Sequence, residues 1–454
     1  MNKETLYQVV KDIYTSKVFI KSALDLRIMI FNKKLKLLFK KYDCVKERME
    51  NIEEIFSLID SYLGDSLVER KKNGEVFTAF GLINEMLDKL PVEVWSNPDL
   101  RWLDPANGIG NFPAVIIQRL MVGLKDVIKD DKKRYDHIIT KQIFVCDISS
   151  KNMFLYLNIF DPNMEYKDTM NYFRGSYLSK EFNELGWGEF DIIVGNPPYN
   201  DSEGIKGGGN NLYVPFIGKS LSTIKENGYL CFVTNAGWLK KTNLKKRTIL
   251  DDVLELNLLH LNINECKKWF DVGGAMPFCY FLIKNNNKYE KTNVVSIDDN
   301  KNIYNSSINL NQLSWVPRIV SDEVYSIIRK FTNKKFEFER IDSVSEEHKN
   351  NRNIVGFKRL SHLVKPYCVK ATNTLDKGTW IIIKSNNVNS DVAFFNSPIF
   401  SFLNFIHRYD AVIYHYMIDY FGYDGDISNK TDQEIYEYFH LNQDEIDLIE
   451  KTIK

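Results

Sequence analysis

The sequence is poor in the features that mark the simplest function classes. Its six cysteines stand singly, at Cys44, Cys146, Cys231, Cys266, Cys279 and Cys368. No pair has the spacing of a zinc knuckle, and a chain of 454 residues needs no disulfide staples. An excess of charge of either sign is also missing, with 60 Lys and Arg against 60 Asp and Glu. That excludes a wholly basic, histone-like binder and leaves room for nucleic-acid binding through a local basic face. No run approaches the roughly 18 consecutive apolar residues of a membrane span. The opening MNKETLYQVVKDIY has neither the apolar stretch nor the small-residue cleavage site of a secretory signal. The expectation is a cytoplasmic protein in a reducing compartment, with no metal site and no membrane partner.

What is present divides into three textures. Residues 1–70 read as a helical segment, with apolar residues at helical spacing (Ile30, Leu35, Leu37, Leu38) and no proline. Its stretch from Lys33 to Arg48 is basic, either a solvated helix face or a contact for phosphates. From about 71 to 288, strand-like runs alternate with helical segments. The runs are RWLD (101–104), IFVCD (143–147), FDIIVG (190–195), YLCFVT (229–234), LLHLNI (258–263) and FCYFLIK (278–284). Such alternation implies crossovers and a mostly parallel sheet with helices on both faces. After KNNNKYEK (284–291), a polar and turn-prone stretch, residues 289–454 are Asn-rich, with short β-like runs and a helical end. They read as a second domain.

Two turns carry chemistry. LDPANGIGNFP (103–113) follows a strand and opens a helix. Asp104 ends the strand, where an open α/β sheet places its ligand crevice, and Gly108 and Gly110 let a ligand approach the backbone. The turn lacks the Gly-Lys-Ser/Thr ending of a polyphosphate loop. Asp147, ending the next strand in VCDIS, can accept hydrogen bonds from two ribose hydroxyls. GNPPYN (195–200) follows the apolar strand FDIIV. Pro197 and Pro198 stiffen the turn and remove two donors, so the Asn196 amide and the Pro197 carbonyl are held in place beside the flat face of Tyr199. That set suits a planar group bearing an amino substituent, although Asn-Pro-Pro is also simply a good turn.

Taken in order, FTAFGLINEMLDKLP (77–91), LDPANGIGNFP, VCDIS, KDT (167–169) and FDIIVGNPPYN resemble the S-adenosylmethionine-dependent N6-adenine DNA methyltransferases, in the gamma-like order of restriction–modification methylases. The resemblance spans about residues 74 to 285. Three positions depart from it: Asn107 and Ile109 stand where the family commonly has Cys and Ser, and Ala79 stands where it has Pro. The resemblance implies an α/β fold: a Rossmann-like catalytic domain with a mostly parallel, seven-stranded sheet at 71–288. An N-terminal helical segment and a C-terminal α+β target recognition domain would flank it. The implied cofactor is S-adenosyl-L-methionine and the implied partner double-stranded DNA, with a separate restriction endonuclease left open.

Residue by residue, the resemblance assigns Phe77 and Thr78 to the methionine part of the cofactor. Asp104, Ala106, Gly108, Gly110, Asn111 and Phe112 would surround its amino-acid portion. Asp147 and Ile148 fall at the ribose, and Asp168 at the cofactor's adenine amine. Asn196, Pro197, Pro198 and Tyr199 would grip the target base. Adenine N6 is a poor nucleophile because its lone pair is delocalised into the ring. Two acceptors on its N–H bonds, the Asn196 oxygen and the Pro197 carbonyl, favour a pyramidal nitrogen aimed at the methyl donor, so positioning and electrostatics do most of the catalysis. The base must leave the duplex to be reached. Phe270, in KKWFDVGGAMPF, is either a second stacking aromatic or a core residue. KKTNLKKR (240–247) is either a phosphate contact or a solvated turn. Rival readings are methylation of another amino group (RNA guanine N2, protein glutamine, DNA cytosine N4), a fusion with a nuclease, and a non-catalytic DNA-binding protein on the same fold.

Overall fold

In a computed structural model the described residues are 45–63, 78–179, 182–199, 211–241, 246–270, 277–310, 315–332, 339–340, 354–358, 368–370, 380–407, 409 and 421–453. Helices α1 (Val45–Glu50) and α2 (Ile52–Leu63) come first, and α3 (Phe80–Leu87) follows Thr78. Strand β1 (Trp102–Asp104) leads through the glycine turn into α4 (Asn111–Gly123). Then come β2 (Ile143–Asp147), α5 (Ser150–Phe160), β3 (Asn171–Arg174) and β4 (Phe190–Gly195). Helix α6 (Tyr213–Thr223) runs into β5 (Ile224–Asn235), followed by β6 (Asn257–Ile263) and β7 (Phe278–Lys284).

Among the described residues these strands form one sheet in the order β3-β2-β1-β4-β5-β7-β6, continued by β8 (Thr292–Ile297) and β9 (Ile303–Ile308). The expected mostly parallel seven-stranded sheet is present: β7 runs antiparallel between β5 and β6, while β1 to β5 pair parallel with one another. The sheet has nine strands, however, because β8 pairs parallel with β6 and β9 folds back on β8. The sheet therefore runs to Ile308, past the expected boundary at 288/289. The polar stretch 284–291 is a connection within the sheet, since Asn285 and Asn286 bond back to Gly228, Lys284, Lys225 and Asn227.

The chain moves outward from β1 to β3 and then returns to place β4 on the other side of β1. That reversal is a topological switch point, where the carboxyl ends of the two central strands splay and leave a crevice. β1 and β4 are apolar and almost wholly buried, as strands covered on both faces must be. Helix α4 is nearly as buried, with Phe112, Ala114, Val115, Ile116, Ile117, Leu120 and Met121 inside. It is covered by α1 and α2, whose Met49, Ile52, Ile55 and Phe56 join the same core. The N-terminal helices thus complete the core beneath the large sheet. Arg119 locks α4 to α3 through Asn84 (2.7 Å) and Asp88 (2.8 Å).

A second core follows. Helix α7 (Asp322–Thr332) packs with α8 (Val388–Asn396), α9 (Pro398–His407), α10 (Asp432–Tyr438) and α11 (Gln443–Ile453). A four-stranded antiparallel sheet, β10 (Glu339–Arg340), β13 (Trp380–Lys384), β11 (Ile354–Lys358) and β12 (Cys368–Lys370) in that order, stands beside them. The C-terminal part is α+β. The two cores meet along residues 315–320, where Val316 N–H bonds Leu239 O at 3.0 Å, Arg318 N–H bonds Ile406 O at 2.7 Å and Tyr409 donates to Val316 O at 2.9 Å.

Candidate active site

The crevice at the switch point collects most of the residues singled out from the sequence. Asp104 ends β1 with its carboxyl buried. One oxygen, Oδ1, accepts the Ala106 N–H at 3.1 Å, while Oδ2 is buried without a hydrogen-bond partner. Burial pushes its pKa up to about 8; the Ala106 N–H opposes the shift and the negative charge of Asp147 adds to it. β4 ends against the same carboxyl. A Cβ at Gly195 would lie 2.9 Å from Asp104 Oδ1, so only glycine lets the two strand ends approach so closely.

The glycine turn is shaped by backbone geometry. Gly110 has φ +103°, and a Cβ there would meet Phe160 at 2.7 Å and Tyr156 at 2.8 Å. Gly108, at φ +57°, has nothing within 4 Å of where its Cβ would be, so the turn faces open space. Its N–H donates to Asp147 Oδ2 at 2.8 Å. Asp147 Oδ1 accepts the Ser149 N–H at 2.7 Å. The Asn152 side-chain amide also donates to Oδ1, at 3.4 Å. Beside it in sequence, Ile148 is an apolar side chain that is 76% exposed. Phe112 is buried in the first turn of α4 and serves the core.

Thr78 is buried and joins the two motifs: its carbonyl accepts from Asn111 Nδ2 at 3.1 Å, and its hydroxyl accepts from Asn196 Nδ2 at 3.0 Å. Asn196 Oδ1 in turn accepts from the Tyr199 hydroxyl at 2.7 Å. Tyr199 is buried and meets Phe278 edge-to-face at 5.4 Å, and Phe278 stacks on Phe270 at 4.6 Å and 17°. Burial holds the Tyr199 hydroxyl well above its ordinary pKa, so it acts only as a neutral donor. The acceptor expected to receive the base amine is thus engaged by Tyr199, and Phe270 is both packed in the core and part of the aromatic wall behind Tyr199.

Several expected positions are not brought together. Phe77 lies outside the described residues. Asp168 is exposed and precedes β3. Because β3 is parallel to β2, with Phe144 level with Asn171 and Asp147 level with Arg174, Asp168 sits at the amino end of the sheet, opposite the crevice. The carboxyl end of β3 instead presents Gly175, whose N–H bonds Asp147 O at 2.9 Å, followed by Ser176. The sequence signal for that end was weak because β3, NYFR, is a half-buried edge strand without an apolar run. In the basic stretch 240–247, Lys241 pairs with Asp251, and Arg247 pairs with Asp252 and Glu255. Residues 242–245 lie outside the described set, as does the basic stretch 33–44. Asn107, one of the departures from the family pattern, has a buried Oδ1 without a partner. Among the described residues no cluster of His, Cys, Asp and Glu could hold a metal ion, and no helix is long and apolar enough to cross a membrane.

With this geometry in view, the chain was compared with known proteins. Residues 108–270, from the glycine turn to the aromatic wall, match the model of the Eco57I restriction-modification methylase family. This segment is similar to the restriction–modification methylases. The chain is also similar to an uncharacterized adenine-specific methylase of Mycoplasma pneumoniae, 25% identical over 365 residues, covering 63% of this chain and 84% of that one. Among solved structures, the type IIL restriction-modification enzyme MmeI in complex with DNA is 11% identical, with a TM-score of 0.49, over 88% of this chain and 74% of that one. A modification subunit of a putative type I restriction enzyme from Vibrio vulnificus is 15% identical, with a TM-score of 0.41, over 56% of this chain. This chain spans about half of that subunit, 54% of its length.

The crevice fits a zwitterionic, nucleoside-bearing cofactor. The orphaned, buried Asp104 oxygen offers an acceptor for an ammonium group. The open space at Gly108 admits a ligand against the backbone.

Proposed function

We infer that the protein is an adenine-specific DNA methyltransferase that uses S-adenosyl-L-methionine. The observation that carries this reading is the position of Asn196-Pro-Pro-Tyr199. The turn ends β4 at the switch point, next to Asp104, with Asn196 bonded to Thr78 and thereby to the glycine turn through Asn111. An amine acceptor and a cofactor crevice share one wall.

When bound, the cofactor supplies an electrophilic sulfonium methyl group. The chain's own residues do the rest. Asp104 and the glycine turn hold the cofactor's amino-acid end, Asp147 its ribose and Ile148 one face of its purine. Asn196 Oδ1 and the Pro197 carbonyl accept the two N–H bonds of the target amine and orient its lone pair. Thr78 fixes the Asn196 amide so that its oxygen faces the base. Tyr199 gives up its bond to Asn196 and stacks on the flipped base, with Phe278 and Phe270 behind it. No strong general base is needed, because the amine becomes acidic only as it is alkylated. The α+β part after Ile308 is the candidate for sequence reading by base-edge contacts.

The test is methyl transfer from tritium-labelled S-adenosylmethionine to duplex DNA, RNA and protein, followed by digestion and identification of the labelled nucleoside or amino acid. N6-methyladenine from DNA is expected. Label in guanine, cytosine or glutamine would replace this reading by another amino-group methylation, and no label on any of them by a non-catalytic role.

A further inference from the structure

Around the site runs a closed circuit of contacts. Thr78 bonds Asn196, Asn196 bonds Tyr199, Tyr199 meets Phe278, and Phe278 stacks on Phe270. The circuit closes through Trp269. The benzo end of its indole lies against Gly81, in the first turn of α3, so closely that a Cβ at Gly81 would fall 2.2 Å from the ring. The indole N–H donates to Glu85 Oε2 at 3.1 Å. The other oxygen of Glu85 accepts from Tyr280 at 2.9 Å, two residues along β7 from Phe278. Lys268 lies over the indole at 5.5 Å and pairs with Glu85 at 3.5 Å. Trp269 is 37% exposed, so burial alone does not fix it in place; the glycine seat and the Glu85 bond do.

This circuit has a consequence for a two-substrate enzyme. In the structure the Tyr199 hydroxyl occupies the Asn196 oxygen that an incoming amine must take. A base can enter only if that bond breaks. Movement of Tyr199 then presses on Phe278 and Phe270, and through the adjoining Trp269 on Gly81 and the start of α3. Three residues before Gly81, Thr78 touches the cofactor crevice through Asn111. A packed element with two discrete arrangements, biased from both ends, is what carries coupling between two ligands.

We propose that Trp269, seated on Gly81 and held by Glu85, is a positioning residue that links cofactor occupancy to acceptance of the target base. The proposal rests on the adenine methyltransferase reading. Trp269 touches neither ligand; it transmits strain between the cofactor-side start of α3 and the aromatic wall behind Tyr199.

The experiment uses the full chain and the duplex whose methylated sequence is found by sequencing modified DNA. Duplex affinity is measured by fluorescence anisotropy with and without saturating S-adenosylhomocysteine, and affinity for S-adenosylhomocysteine alone by calorimetry. In the wild type the product should tighten duplex binding by about tenfold, within the usual range of coupling between sites. In Trp269→Phe and Gly81→Ala that factor should fall to about twofold or less, while affinity for S-adenosylhomocysteine alone stays within about threefold and KM for DNA rises more than kcat falls. Glu85→Gln, which keeps an acceptor, should restore part of the coupling lost in Glu85→Ala. A wild type without coupling overturns the proposal. So do variants that melt earlier yet keep the full factor, which would assign Trp269 to packing. Protein that neither binds nor methylates DNA defeats the functional reading itself, and this proposal with it.

Discussion

The Asp104 carboxyl gives the cofactor site a pH dependence that can be worked out from the structure. Its pKa is pushed up to about 8 by burial, so near neutrality the empty site holds a protonated acid. An ammonium group bound at the orphaned Oδ2 requires the carboxylate, so binding releases a proton. Affinity should then fall about tenfold, or about 1.4 kcal/mol, for each pH unit below about 8. Calorimetry with S-adenosylhomocysteine should show roughly a hundredfold loss from about pH 8 to 6. The same group acts on the ligand-free fold. Between the ordinary carboxylate range and about 8, the native state holds a proton that the unfolded chain has lost, so stability contributed by Asp104 declines as pH rises through that window. The stabilisation conferred by the ligand should therefore grow with pH over the same interval. Asp104→Asn removes the titration: its residual affinity should be flat with pH, and its ligand-free melting temperature near about pH 8 should equal or exceed that of the wild type. Equal pH slopes in wild type and Asp104→Asn would refute this account of the carboxyl.

Other expectations follow from single contacts. Gly110→Ala forces a side chain into a φ of +103° and against Phe160 and Tyr156, and should lower unfolding free energy in urea by about 2 kcal/mol or more. Ile148→Ala removes an exposed apolar face, and should weaken cofactor binding by about tenfold with no change in melting temperature, since nothing in the core is lost. Asp168→Ala should leave cofactor affinity within about twofold, because the residue sits at the far end of β3; a larger loss by calorimetry would contradict that placement. Tyr199→Phe removes the hydroxyl that occupies Asn196 and keeps the ring, so kcat should stay within a few-fold while Tyr199→Ala loses on the order of a hundredfold in transfer assays.

The fold and the site were legible in the sequence to different depths. The apolar runs from 101 to 284 marked β1, β2, β4, β5, β6 and β7, because strands covered on both faces have continuous apolar character. β3, β8 and β9 escaped the reading. They lie towards the two edges of the sheet, and β3 and β9 in particular are half-exposed and polar, so their sequences resemble connections. Asp168, named through the KDT match, precedes β3 at the amino end of the sheet. Asp104, Gly108, Gly110, Asp147 and Asn196 were readable because turns at strand ends demand particular backbone chemistry. Glu85, Trp269 and Tyr280 were not, since their roles arise from the packing of α3 on β7 and on the segment before Phe270, which no local spacing encodes.

The most direct measurement is modification-sensitive sequencing of DNA from a methylation-deficient host expressing the wild-type chain or Asn196→Ala. The account predicts N6-methyladenine in one sequence context with the wild type and none with Asn196→Ala. Unmodified adenine in the presence of folded wild-type protein, or methylation that persists in Asn196→Ala, would contradict it.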